Sequence, residues 1–233
     1  MLLSWPARAD IAIEVTGVDG DMKRNVLTFL SLSRYASRDD LDAETIERIS
    51  QRALPEVKSA LRPFGYYDPK VTSSMTREGS RWRAHIAVDP GAPVILREVD
   101  LKILGPGESD RVFRAVLARS TLQVGQQLNH ADYERVKGDL ERTAASFGYL
   151  DARLERHELI VDPKGLAASA HLQLETGQRY RFGATTIKQD VIDDDLMRKY
   201  LRYHDGQPFD TTSLLRTQFA LDDSQYFATV EVL

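Results

Sequence analysis

Three signals recur three times along this chain in one order, and an internal repeat restricts the fold to tandem copies of one small unit. The first signal is an extended segment with one apolar face. Ile11, Ile13 and Val15 alternate with Ala12 and Glu14, and Val99, Leu101 and Ile103 alternate with Asp100 and Lys102. A period of two predicts strands buried on one side. The third copy, Tyr180 through Phe182 to Ile187, alternates less cleanly, and Gly183 is placed to mark a bulge.

A short helix follows in each copy. Its apolar positions fall one turn apart: Val26-Leu27 with Leu30, Val112-Phe113 with Val116-Leu117, and Leu196-Met197 with Tyr200-Leu201. Asp21, Ser109-Asp110 and Asp193-Asp194-Asp195 precede these runs and suit N-caps. A longer helix comes next, introduced by Leu41-Asp42, Leu128-Asn129 and Phe209-Asp210. Ile46, Ile49, Ala53, Val57 and Ala60 mark the buried stripe of the first copy, and Tyr133, Val136, Leu140, Ala144 and Phe147 that of the second. Pro55 predicts a kink there, or two short helices, because an interior proline costs about 3 kcal/mol.

The second helix then stops at a repeated mark: Phe64-Gly65-Tyr66, Phe147-Gly148-Tyr149, and Gln225-Tyr226-Phe227 without glycine. Gly65 and Gly148 sit where a left-handed helix cap is wanted, a conformation glycine takes without steric penalty. Two strands are expected afterwards. Trp82, Ala84, Ile86 and Val88 alternate in the first copy; Leu150, Ala152 and Leu154, then Ala168, Ala170, Leu172 and Leu174, alternate in the second. Each α+β unit therefore reads strand, helix, helix, strand, strand.

Units of about 80 residues bury only about 60–65% of their unfolded-chain surface, so each is marginal alone and is expected to lean on its neighbour. The joints are placed near Pro90-Gly91 and Thr176-Gly177, giving units over residues 10–90, 91–176 and 177–233. The third unit is short of a strand. Ala228, Val230 and Val232 begin its second strand, and the expectation is that the natural polypeptide continues past Leu233. Residues 1–9 read either as a disordered terminus or as a signal-peptide remnant, since Ala7-Arg8-Ala9 has small residues where signal peptidase needs them.

Composition and motifs exclude several functions. The charge of −4, from 35 acidic and 31 basic residues, offers no basic grip for nucleic acid. No cysteine is present, so thiol chemistry and cysteine-held metals are out. The histidines at 85, 130, 157, 171 and 204 show no zinc-ligand spacing, and His85 and His171 are expected on the solvated faces of their strands. Asp193-Asp194-Asp195 and Asp222-Asp223 lack cation-loop spacing and read as solvated helix ends. Gly105-Pro106-Gly107-Glu108-Ser109 lacks the lysine of a phosphate loop and reads as a turn plus cap. Trp82 is expected in the core. No catalytic constellation, cofactor or metal site is expected.

These units resemble polypeptide-transport-associated (POTRA) domains, the periplasmic arms of outer-membrane assembly factors. Ala60-Leu61-Arg62-Pro63-Phe64-Gly65-Tyr66-Tyr67, Pro90-Gly91 and Val94-Ile95-Leu96-Arg97-Glu98-Val99 resemble the TamA-like family of the translocation and assembly module. The resemblance implies three tandem POTRA domains, each two helices on a small three-stranded mixed sheet, the third incomplete. It favours the signal-peptide reading of the terminus and implies a membrane barrel following the arm. It implies a non-enzymatic arm in the periplasm of a Gram-negative cell, meeting unfolded outer-membrane clients in autotransporter and outer-membrane protein biogenesis, and an inner-membrane-anchored, TamB-like partner. An alternative keeps the fold with one dedicated partner, as in a two-partner-secretion transporter or division-type scaffold. A soluble enzyme would need a cleft of clustered titratable groups.

An open sheet edge can take an extended polypeptide as another strand, with little regard to sequence. In related domains the second strand is the edge, here about 67–75 and 150–158. Val71, Thr72, Ser73, Ser74 and Met75 are β-prone and uncharged and form the first candidate edge. The competing reading is an edge guarded by Lys70 and Arg77.

Overall fold

A computed structural model describes residues 10–36, 38, 43–79 and 81–231. The expectations for residues 1–9, the Leu41-Asp42 cap, Val232 and Leu233 lie outside the described residues. The chain divides into two compact units. One takes the described residues up to Glu98 together with Gln123–Asp132 and Leu159–Ser169; the other takes Val99–Leu122, Tyr133–Glu158 and Ala170 onward.

The first repeat runs β1 (Asp10–Thr16), α1 (Gly20–Phe29), α2 (Ser31–Tyr35), α3 (Ala43–Ser50), α4 (Ala53–Leu61), a 3-10 turn (Arg62–Phe64), β2 (Lys70–Glu78) and β3 (Arg81–Asp89). Its three-stranded sheet has the order β1-β3-β2, with β3 parallel to β1 and antiparallel to β2. The second repeat runs β4 (Ile95–Leu104), α5 (Arg111–Ala118), α6 (His130–Ser146), β5 (Arg153–Asp162) and β6 (Ala167–Glu175), and its sheet has the same order, β4-β6-β5. In both, the last strand of the repeat lies in the middle. The architecture is α+β with two mixed three-stranded sheets.

The apolar stripes bury as their periods require. Ile46, Ile49, Ala53, Val57 and Ala60 join Ile11, Val15, Ala84, Ile86 and Val88 in the core of the first unit. Tyr133, Val136, Leu140 and Ala144 are buried on α6, while Phe147 at its end is half-buried. Trp82 is half-buried against the first core. Pro55 lies in the first turn of α4, where its missing N–H would have had no partner in the helix; the break falls just before it, at residues 51–52. Glu56 from that turn accepts from the Ser31 backbone N–H at 2.7 Å and from the Ser31 hydroxyl, so a carboxylate of α4 satisfies the buried amino end of α2.

Several expectations are corrected. Asp21 does not cap α1; it lies inside the first turn and pairs with Arg24, and the cap position is Asp19, without a side-chain bond. The edge strands start at Lys70 and Arg153 rather than at 67 and 150, because turns follow Gly65 and Gly148. His171 is buried, not solvated, with its Nδ1 unbonded and 3.9 Å from the Asp100 carboxylate. His171 and His85 both lie on central strands, so strand position alone does not set their exposure. His85, by contrast, is half-exposed beside its register partner Glu14.

The third repeat departs most. It has α7 (Asp194–Arg198) and α8 (Thr211–Asp223), capped by Asp193 and Asp210. Tyr200 and Leu201 fall beyond the end of α7. Neither 180–187 nor 227–231 forms a strand among the described residues; an isolated bridge joins Arg181 to Pro208. Phe182 is buried by stacking on Tyr203 at 4.1 Å and packing on Phe209 at 5.0 Å, not by a sheet. Gly183 has no bulge to mark. With no ladder partner, alternation alone does not make a strand.

Candidate functional site

The four outer strands of the two sheets differ in what meets their free backbone. At the start of β1, the Ile11 N–H donates to the Ala36 carbonyl at 3.2 Å. At the start of β4, Leu96 exchanges bonds of 2.8 Å with Gln126 and Gly125. The free sides of β2 and β5 show no such backbone partner among the described residues.

β5 is rich in charge, with Arg153 bonded to Glu155 and Arg156 to Glu158. Such charge blunts an edge against strand pairing. β2 is uncharged from Val71 to Thr76. Lys70 stands at one end opposite Asp89. At the other end Arg77 lies over the Trp82 ring at 5.4 Å and donates to the Gly79 carbonyl at 3.0 Å. The two cations thus flank the candidate stretch, and the central positions carry none.

The hairpin fixes which backbone groups face outward. Two residues of the sequence separate Glu78 from its register partner Arg81, and Gly79 has φ +65°; the pair that closes a two-residue connection is a hydrogen-bonded one. Antiparallel pairing alternates from there, so the N–H and C=O of Val71, Ser73, Met75 and Arg77 turn away from β3, while those of Thr72 and Ser74 pair with it. Val71, Ser73 and Met75 stand opposite Val88, Ile86 and Ala84, on the core side of the sheet. Val71 and Met75 pack partly against the core, whereas Ser73 is exposed. Beside them a groove of about 370 Å³ is lined by Ile46, Glu47 and Ser50 of α3 and by Ser73, Met75 and Trp82.

Gly65 and Gly148 anchor a second recurring arrangement, each copy inside one compact unit. Gly65 has φ +85°; its N–H donates to Arg62 O and the Tyr66 N–H to Leu61 O, a paired bond pattern that closes a helix end. Its carbonyl accepts from Val94 at 2.8 Å, and Leu128 N–H donates to Val94 O at 2.8 Å. Gly148 has φ +83°, with Tyr180 N–H at 2.7 Å from its carbonyl and Phe209 N–H donating to Tyr180 O at 3.0 Å. The partners come from matching motifs, Gly125-Gln126-Gln127-Leu128-Asn129 and Gly206-Gln207-Pro208-Phe209-Asp210, whose glycines close onto Leu96 and Phe182.

Around Gly148 lies a polar lock that the sequence did not announce. Arg179 donates to Phe147 O at 2.8 Å and to Asp110 at 3.2 Å, and Tyr149 OH donates to the same Asp110 oxygen at 2.9 Å. Burial works to raise the Asp110 pKa, but bonds from the Val112 N–H and Tyr149 hydroxyl and the Arg179 charge outweigh it, so its carboxyl lies below the usual range. Burial, reinforced by Asp110, pushes the Tyr149 phenol up to about 12. The signal available was positional: Arg179 and Asp110 precede a recurring strand signal and a helix start, and only folding joins them.

None of this forms a catalytic constellation. Among the described residues no three His, Asp or Glu side chains are placed to share a metal ion, and no helix is long and apolar enough to cross a membrane.

Comparison with known proteins matches the first repeat to a described family. Residues 12–90 match the sequence model of the family described as POTRA domain TamA domain 1. Among solved structures, the chain is similar to POTRA3-5 of Haemophilus influenzae BamA, at 16% identity over 98% of this chain and 91% of that one, with TM-score 0.45. It is also similar to the N-terminal domain of Omp85 from Thermosynechococcus elongatus, at 17% identity over 97% and 89%, with TM-score 0.34. A further similar structure, CdiB from Escherichia coli, has 14% identity over 74% of this chain and 27% of that one, with TM-score 0.25. The first strand–helix–helix–strand–strand repeat is thus the part of the chain that is similar to the POTRA domain described as TamA domain 1.

Proposed function

We propose that this chain is a periplasmic arm of an outer-membrane protein assembly factor, and that its first repeat takes extended client polypeptide as an added strand on β2. The observation that carries this reading is the outward backbone of Val71, Ser73 and Met75 on an uncharged edge, beside the groove under α3. A client strand there gains main-chain hydrogen bonds from β2, and every second side chain can enter the groove. Autotransporter and other outer-membrane chains are the clients, and an inner-membrane-anchored, TamB-like protein is the partner. The task is scaffolding, without catalysis or cofactor.

Adjacent prolines test the edge. Ser73→Pro removes an outward donor and leaves the native ladder whole, whereas Thr72→Pro removes a donor bonded to β3. The first is expected to abolish photocrosslinking of an unfolded outer-membrane client to this edge with an unchanged circular dichroism spectrum; the second destabilises the fold. A folded Ser73→Pro chain that crosslinks as well as the parent sinks the reading.

A further inference from the structure

The groove beside β2 contains a carboxylate without a partner. Glu47 stands on the exposed side of α3, and among the described residues its side chain makes no ion pair or hydrogen bond. The Ser50 hydroxyl in the same groove donates to the Glu47 backbone carbonyl at 2.7 Å and not to the carboxylate. The neighbouring cations are placed elsewhere. Arg77 is held over Trp82 and by the Gly79 carbonyl, and Lys70 stands at the other end of β2 opposite Asp89. Arg48, next on α3, lines a separate cavity with Arg38 and Arg52.

The rest of the groove is apolar or small. Ile46 is fully buried, and Met75 and Trp82 pack partly against the core. Ser73 is the short residue of its row: Val71 and Met75 flank it on the core side of the sheet, while its own side chain is exposed. Because the Ser73 backbone faces outward, a strand added there antiparallel places one residue directly opposite it, hydrogen-bonded to it and with Cβ atoms about 4.5–5.5 Å apart. That residue points to the same face as Ser73, toward the groove, and its two chain neighbours point to the other face. An aliphatic side chain there would cover the apolar walls and strip water from Glu47 without replacing it. An acidic one would meet a like charge. A lysine or arginine lays its methylene stem along Ile46, Met75 and Trp82 and brings a cation to Glu47.

We infer that Glu47 is a specificity-determining residue for strand addition: the client position opposite Ser73 is a lysine or arginine within an otherwise uncharged, alternating strand. This rests on strand addition at β2 and supplies what backbone pairing lacks, a choice among clients.

The test uses the whole 233-residue chain and three labelled peptides, Val-Thr-Val-Thr-Xaa-Thr-Val-Thr-Val with blocked ends, in which Xaa is lysine, glutamine or glutamate. Fluorescence anisotropy at low salt is expected to show the lysine peptide bound about fivefold more tightly than the glutamine peptide, and the glutamate peptide bound most weakly. Glu47→Gln is expected to remove the difference, and Glu47→Lys to reverse the order of the lysine and glutamate peptides. Glu47 is exposed, so both variants should keep the parent's circular dichroism spectrum. Ser73→Pro is expected to abolish binding of all three. Equal binding of the lysine and glutamine peptides that Ser73→Pro still abolishes overturns selection by Glu47 and leaves strand addition standing. A preference for lysine that survives Glu47→Gln overturns it as well. Binding that Ser73→Pro leaves unchanged, or no binding by any of the three, removes strand addition at β2 and this inference with it.

Discussion

Replacing Gly65 with alanine, set against the same change at Gly125, separates the cost of a left-handed backbone from the cost of a close approach. Both glycines belong to the first compact unit and both have positive φ, +85° and +90°. An L-residue in that region costs about 1–2 kcal/mol. At Gly125 a new Cβ meets nothing within 4 Å, so Gly125→Ala carries that cost alone. At Gly65 the Cβ would stand 2.5 Å from the carbonyl oxygen of Leu128, a backbone atom of a fully buried residue. Relief requires Leu128 to move, which strains the Leu128 N–H bond to Val94 and the Val94 N–H bond to Gly65, each contributing about 0.5–1.5 kcal/mol. Gly65→Ala is therefore expected to cost about 2–5 kcal/mol, and the difference from Gly125→Ala about 1–3 kcal/mol. Urea unfolding followed by Trp82 fluorescence, in a Trp5→Phe background, reads the first unit; with a slope of about 1–3 kcal/mol/M the midpoints should separate by about 1 M. Equal midpoints for the two variants would refute the claim that the turn at Gly65 is held against Leu128, and would leave conformation as its whole role.

Three further outcomes follow from the polar contacts. Glu56→Ala leaves the buried Ser31 hydroxyl and the first N–H of α2 without their carboxylate, and thermal unfolding should register a loss of about 1–3 kcal/mol. Asp110 has a folded pKa below its unfolded value, so its stabilisation is present at neutral pH and lost as pH falls through the folded pKa. Urea midpoints measured from pH 7 downward should accordingly converge for the parent and Asp110→Asn, and a gap that stays constant down to pH 2 contradicts the assignment. Arg179→Lys keeps the charge but cannot reach Phe147 O and Asp110 with one fork, and amide exchange at Gly148 and Tyr180 should quicken. No change there would mean that the backbone ladder holds this turn unaided.

What was legible in the sequence was whatever rests on local period and local chemistry. The stripe from Ile46 to Ala60 buries because a helix repeats every 3.6 residues wherever it packs. Asp110, Asp193 and Asp210 cap because a short carboxylate next to a helix start has free N–H groups within reach. Pro55 divides a helix for an equally local reason. Reading failed where the outcome depends on a neighbour distant in sequence. The alternation at 99–103 becomes a strand beside β6, whereas the less regular alternation at 180–187 leaves Phe182 stacked on Tyr203, because a ladder needs a second strand and a local pattern cannot supply it. His171 misled because alternation assigns a face of the strand, whereas what covers that face, such as Asp100 of β4 beside the His171 ring, comes from residues distant in sequence.

The edge of β2 stands between these cases. Its lack of charge is readable from six residues, but that Ser73 rather than Thr72 offers a free N–H depends on the two-residue turn at Gly79 and on the parity counted back from it. A single residue inserted in that turn would exchange the inward and outward sets and carry Val71 and Met75 off the core face. The edge's outward backbone groups and its anchorage to the core are thus set by the same register. A sequence that kept β2 uncharged but changed the length of its hairpin would keep the composition of this site and lose its geometry.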